Sequence, residues 1–75
     1  MTRKQVINRD SGILGGTPVF LGTRVPVQSL IDHLKAGDSL DEFLDGFPSV
    51  KREQAIAFLE IAYQSAVEET DARAA

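Results

Sequence analysis

Hydrophobic and polar positions change rhythm once along this chain, at Val27. Before it, apolar residues come in short β-branched or aromatic runs separated by glycine and proline; after it, they recur at helical spacing. In the first part, Val6-Ile7-Asn8-Arg9 has the composition of a short strand, followed by a turn at Asp10-Ser11-Gly12. Pro18-Val19-Phe20-Leu21 and Arg24-Val25-Pro26 are expected as the arms of a hairpin or bulged turn around Gly22-Thr23. Four of the six glycines and two of the three prolines fall in this stretch. That suits tight turns, because Gly reaches positive φ freely and Pro presets φ near a turn value. Pro18 and Pro26 lack amide donors and belong at strand starts, ends or edges. The resulting sheet is small, with open edges able to pair with the same segment of a second chain.

From Val27 onward, Val27, Leu30, Ile31 and Leu34 recur at i, i+3, i+4, i+7, which predicts a helix with one buried stripe. Gly37 sits where a left-handed residue ends such a helix. Ser39-Leu40-Asp41-Glu42 then reads as a capping box, with the Ser39 hydroxyl taking the Glu42 amide and the Glu42 side chain reaching back. Leu40, Phe43, Leu44 and Phe47 repeat the helical spacing, and Gly46 and Pro48 stop this second helix. Ser49 is the expected N-cap of a longer third helix, from about Val50 to about Glu69. Ala55, Phe58, Leu59, Ala62 and Ala66 line one face of it, while Ile56, Ile61, Tyr63 and Val67 widen the apolar surface. A helix apolar over so much of its circumference is expected both to centre the bundle and to serve an interface. The fold class is therefore mainly α with a small N-terminal β element, a three-helix bundle preceded by short strands. It forms a single domain over residues 1–75: a β/turn arm at 1–26, helices over 27–69 and a frayed tail at 70–75.

A domain of 75 residues has a small core, which rarely supplies more than about 3–5 kcal/mol. Cysteine is absent, which removes disulfides and most zinc sites, and the one histidine, His33, cannot build a metal site alone. Association, as a homodimer or with another protein, is thus expected. The N-terminal residues lack the apolar core of a secretory signal, and no apolar run approaches membrane-span length. A cytoplasmic protein with no membrane partner is expected.

The formal net charge of −3 hides an asymmetry. Arg3, Lys4, Arg9 and Arg24 stand against Asp10 alone in residues 1–26, giving +3, whereas residues 27–75 carry four basic against ten acidic groups, giving −6. A local basic patch can still bind DNA, but nonspecific phosphate affinity is expected to be weak and salt-sensitive.

Little here points to catalysis. Gly12 to Gly16 is no phosphate loop, since Thr17-Pro18 follows where a Lys-Ser/Thr pair would be needed. Asp38, Asp41, Glu42 and Asp45 read as a solvated, helix-capping face, because Asp41 and Glu42 meet the favourable end of the helix dipole. His33 falls off the apolar stripe, beside Asp32, and is expected to point at solvent. No nucleophile stands at a defined spacing from it, so neither enzymatic activity nor a metal or cofactor is expected.

The second and third helices, joined by Gly46-Phe47-Pro48-Ser49, have the proportions of a helix-turn-helix. A recognition helix would then present Lys51, Arg52 and Gln54 on an exposed first turn, with Ser49 touching phosphate. Arg24 in the β arm is a further candidate for phosphate, or for a cross-strand ion pair. A polar first turn with no DNA target is the competing reading of the same residues.

The run Asp10 to Val27, with its Gly-Gly-Thr-Pro-Val and Gly-Thr-Arg-Val-Pro-Val signatures, followed by Leu30, Leu34, Gly37 and Phe47-Pro48, resembles the domain-of-unknown-function 433 family over about residues 5–63. The resemblance implies a homeodomain-like bundle behind a small β element. It also implies an antitoxin of the VapB-like kind, encoded beside a PIN-like ribonuclease toxin that it neutralises, and repressing their shared promoter. The helix-turn-helix placement carries over to Ser49, Lys51, Arg52 and Gln54. Thr17 and Leu21 stand where many relatives carry a basic residue, so part of any nucleic-acid contact there would be missing.

The expected function is accordingly a dimeric antitoxin-like protein that binds a PIN-like toxin and operator DNA. Arg24, Ser49, Lys51, Arg52 and Gln54 are its DNA candidates, and Phe58, Ile61, Tyr63, Glu68 and Glu69 its partner-binding candidates. The alternative is a dimeric protein-interaction module with the same fold and no DNA target. Acidity on the last helix favours a basic partner, because complementary charge speeds association.

Overall fold

A computed structural model describes the backbone of residues 1–74 and the side chains of residues 1–69. The described chain is mainly helical with one two-stranded antiparallel sheet. Its elements in order are α1 (Arg3–Val6), β1 (Ile7–Asn8), a 3₁₀ turn (Leu14–Gly16), β2 (Val19–Phe20), α2 (Val27–Lys35), α3 (Leu40–Gly46) and α4 (Arg52–Ala74).

The expected strand at Val6–Arg9 is shortened to Ile7–Asn8 because a single helical turn, α1, precedes it. Four residues are too few to show a period. The local signal is Thr2 and Gln5, whose side-chain Oε1 accepts the Thr2 amide at 2.8 Å. β1 pairs with β2, with Ile7 opposite Phe20 and Asn8 opposite Val19. The expected hairpin arm at Arg24–Pro26 pairs with Pro18–Phe20 through one bridge, Val19 to Pro26, flanked by the Phe20 amide donating to the Val25 carbonyl at 2.9 Å and the Val27 amide to the Pro18 carbonyl at 3.1 Å. Pro26 sits at a non-hydrogen-bonded position, where no amide is needed, and the start of α2 at Val27 ends the arm. Its turn is as read: the Thr23 amide donates to the Phe20 carbonyl at 3.0 Å, with Gly22 at φ 80°.

α2 buries Leu30 and ends in a Schellman motif. The Asp38 amide donates to His33 O at 3.0 Å and the Gly37 amide to Leu34 O at 3.1 Å, with Gly37 at φ 96°. The Ser39–Glu42 capping box then starts α3, at 3.1 Å from the Glu42 amide to Ser39 Oγ and 2.8 Å from the Ser39 amide to Glu42 Oε1.

α4 begins at Arg52, two residues later than expected. The Val50 amide donates to Phe47 O at 3.0 Å, closing a turn with Pro48 at its second position. Ser49 is therefore a turn residue rather than the N-cap, and Val50 is buried. The helix runs to Ala74, past the expected end at Glu69. The side chains of the expected frayed tail, residues 70–75, lie outside the described residues.

The core gathers Val6, Phe20, Leu30, Phe43, Val50 and Ala55. Phe20 of β2 is its hub, with ring centroids 6.4 Å from Phe43 and 5.9 Å from Phe58. Aromatic pairs at such distances add about 0.5–1.5 kcal/mol to the area they bury.

Candidate functional site

The first turn of α4, expected as an exposed reading head, is partly consumed by the fold. Gln54 is only 6% exposed. Its Oε1 accepts the Lys51 amide at 3.1 Å, and its Nε2 donates to the Leu21 carbonyl at 2.9 Å. The side chain thus caps α4 and fastens it to the β arm, which leaves no free end to pair with adenine. Sequence reasoning misses this because a glutamine at the third helical position reads equally as surface or as half of a cap.

Arg52 is exposed but ion-paired with Asp41 of α3. Lys51, Ser49 and Arg24 remain exposed, and Lys51 and Arg24 have no ion-pair partner among the described residues. Ser49 and Lys51 border a groove of about 420 Å³ with Leu21, Gly22 and Gln5, Gln54 forming part of its wall.

His33, expected to point at solvent, is half-buried: its side chain stays 38% exposed while the ring is held by neighbours. Its ring packs edge-on against Phe43 and Phe47, each at 5.5 Å, and Nδ1 lies 2.8 Å from Asp38 Oδ2. The acidic cluster is likewise divided among structural tasks: Asp38 meets His33, Asp41 meets Arg52 and Glu42 caps α3. No group of three His, Asp or Glu side chains able to hold a metal occurs among the described residues.

The partner-binding candidates on α4 also split. Phe58 and Ile61 pack against the core, whereas Tyr63 is 62% exposed, and Glu68 and Glu69 are exposed. Ile56, 46% exposed, stands seven residues before Tyr63 on the same outward face. Ala62 and Ala66, expected on the packed face, are exposed because the core ends near Ile61. Beyond that point α4 is flanked by α1, with the Arg3 guanidinium donating to the Ser65 hydroxyl.

Two further surface features were not singled out as sites from sequence, although the count of +3 over residues 1–26 signalled one of them. Arg3, Lys4 and Arg9 rim a groove of about 420 Å³ whose floor is Ile7, Pro18 and Val27. On the other side of Arg3, a groove of about 380 Å³ is lined by Met1, Ala57, Glu60, Ile61, Gln64 and Glu68. No helix among the described residues is long and apolar enough to cross a membrane.

The profile of the family described as "Protein of unknown function (DUF433)" matches residues 7–63. A curated relative, "Uncharacterized protein y4eO" of Sinorhizobium fredii, is 39% identical over 51 residues, which is 68% of this chain and 23% of that protein. The chain therefore spans about a quarter of the length of that relative. The crystal structure of a DUF433 member protein from Anabaena variabilis superposes with a TM-score of 0.69 at 26% identity, covering 93% of this chain and 68% of the other. The match from Ile7 to Tyr63 spans most of the molecule, and the chain belongs to the DUF433 family.

Proposed function

Taking that membership as premise, we propose that the chain is an antitoxin-like binding protein, acting as a homodimer in the cytoplasm, whose α4 engages a PIN-like ribonuclease toxin. The observation that carries this reading is the outward face of α4, where Ile56 and Tyr63 stand exposed on a helix whose inner face, through Ala55, Phe58 and Ile61, is anchored in the core. A rigid helix with an aromatic anchor loses little side-chain freedom on docking, and such anchors dominate interface energetics. Exposed Glu69 on the same helix adds negative charge suited to a basic partner.

In the same reading α3 and α4 form a helix-turn-helix-like pair behind the β element, in the manner of a homeodomain-like bundle. Operator contact then falls to Lys51, Ser49 and Arg24, since Gln54 is buried and Arg52 is held by Asp41. Those two losses favour the second reading, an interaction module with no DNA target. Co-expression with the product of the neighbouring reading frame tests the first. The partner should co-purify with the wild type and be lost with Tyr63→Ala, while failure of any partner to co-purify overturns the antitoxin reading. Anisotropy with operator DNA at several salt concentrations separates the two. Lys51→Ala should reduce the salt slope by about 1 if Lys51 touches phosphate, and no salt-dependent binding at all leaves the interaction module.

A further inference from the structure

The two grooves that share Arg3 carry opposite charge. On one side, Lys4 and Arg9 stand over an apolar floor of Ile7, Pro18 and Val27; on the other, Glu60 and Glu68 flank Gln64 beside Met1 and Ile61. All four charged side chains are exposed, and none has an ion-pair partner among the described residues. A basic half and an acidic half lying side by side form a self-complementary surface. Under a two-fold axis near Arg3, the basic half of each copy meets the acidic half of the other, the arrangement an isologous interface requires.

We propose that this face is the homodimer interface, with Lys4 and Arg9 of one copy opposite Glu60 and Glu68 of its mate. The inference rests on the dimer of the preceding reading and assigns its surface. A nucleic acid fits the face poorly, because phosphates entering the basic groove would run past Glu60 and Glu68. An unrelated acidic protein is unnecessary, because the complement is already present on the chain. The apolar floors supply the burial that charge alone does not, and they need no participation of the small sheet's open edge. Tyr63 and Ile56 lie about a quarter turn of α4 away from Gln64, so the aromatic anchor for a toxin stays outside this face.

Charge exchange in the full-length chain tests this by analytical ultracentrifugation. Wild type should dimerise, with a Kd that rises at least tenfold between low and high salt. The double variants Lys4→Glu/Arg9→Glu and Glu60→Lys/Glu68→Lys should each dimerise at least tenfold more weakly alone. An equimolar mixture of the two should restore a heterodimer, because both contacts are then complementary again. Lys4→Gln/Arg9→Gln, with circular dichroism matching wild type, should weaken the dimer less than the full reversal. A wild-type monomer at millimolar concentration overturns both the dimer and this face. A dimer indifferent to the exchanges, or a mixture that stays monomeric, overturns the face and leaves the dimer standing.

Discussion

The joint between α2 and α3 and the joint between α3 and α4 make the same kind of connection by different means. Ala36 to Ser39 is closed by bonds between near neighbours: Gly37 to Leu34, Asp38 to His33, and the reciprocal Ser39–Glu42 box. Phe47 to Lys51 adds distant contacts to its local turn and cap. Phe47 packs on Phe43 at 4.9 Å and on His33 at 5.5 Å, Val50 enters the core, and Gln54 reaches across 33 residues to the Leu21 carbonyl. The first joint sets only the path of the chain. The second couples the β arm to the start of α4, so a side chain expected to read DNA is spent on holding the domain together.

The largest loss should follow from removing the residue that serves both joints. Phe43 is fully buried and its ring contacts His33 of α2 and Phe47 of the second joint. Phe43→Ala should cost about 3–5 kcal/mol, comparable with the whole core's contribution, and calorimetry should find no cooperative transition. Gln54→Ala opens the second joint alone. Stripping two backbone groups of their partner should cost about 1–3 kcal/mol, with faster hydrogen exchange at the Lys51 amide. Gly37→Ala acts on the first joint. Nothing lies within 4 Å of the added methyl, so the cost is that of a left-handed alanine, about 1–2 kcal/mol in chemical denaturation. Arg52→Ala, which removes an exposed ion pair next to the second joint, should change stability by no more than about 1 kcal/mol. A loss as large as that of Gln54→Ala would mean that the Arg52–Asp41 pair, rather than Gln54, secures the start of α4.

The helices α2 and α3 were legible because their apolar positions repeat over two turns and their ends carry short-range punctuation at Gly37, Ser39 and Glu42. The β arm was legible as turn and strand composition, but its pairing was not. Val6–Arg9 gave no sign that a helical turn precedes the strand, and the expected hairpin is cut to one bridge by the start of α2 at Val27. Lys51, Ser49 and Arg24 lie exposed as the sequence suggested, and Tyr63 likewise. Phe58 packs on the core as its place on the apolar face suggested, whereas Gln54 and His33 were misplaced by one cause: polarity and periodicity describe a residue on its own helix, and these two are positioned by what a different element presses against them.

The residues alone give α2 and α3, the end of α2, the cap of α3 and the turn at Gly22, where bonds close over three to five residues and carry recognisable punctuation. They also give the division of charge between the two parts of the chain. Tertiary packing alone sets the start of α4 at Arg52, the inward-facing Gln54, and the placing of the Lys4/Arg9 and Glu60/Glu68 grooves on either side of Arg3. The reason is one of range. A cap or a Schellman turn is satisfied within its own segment, whereas burial of Gln54 and the placing of two charge clusters about Arg3 depend on α1 and β2 being held against α4, which no local pattern encodes.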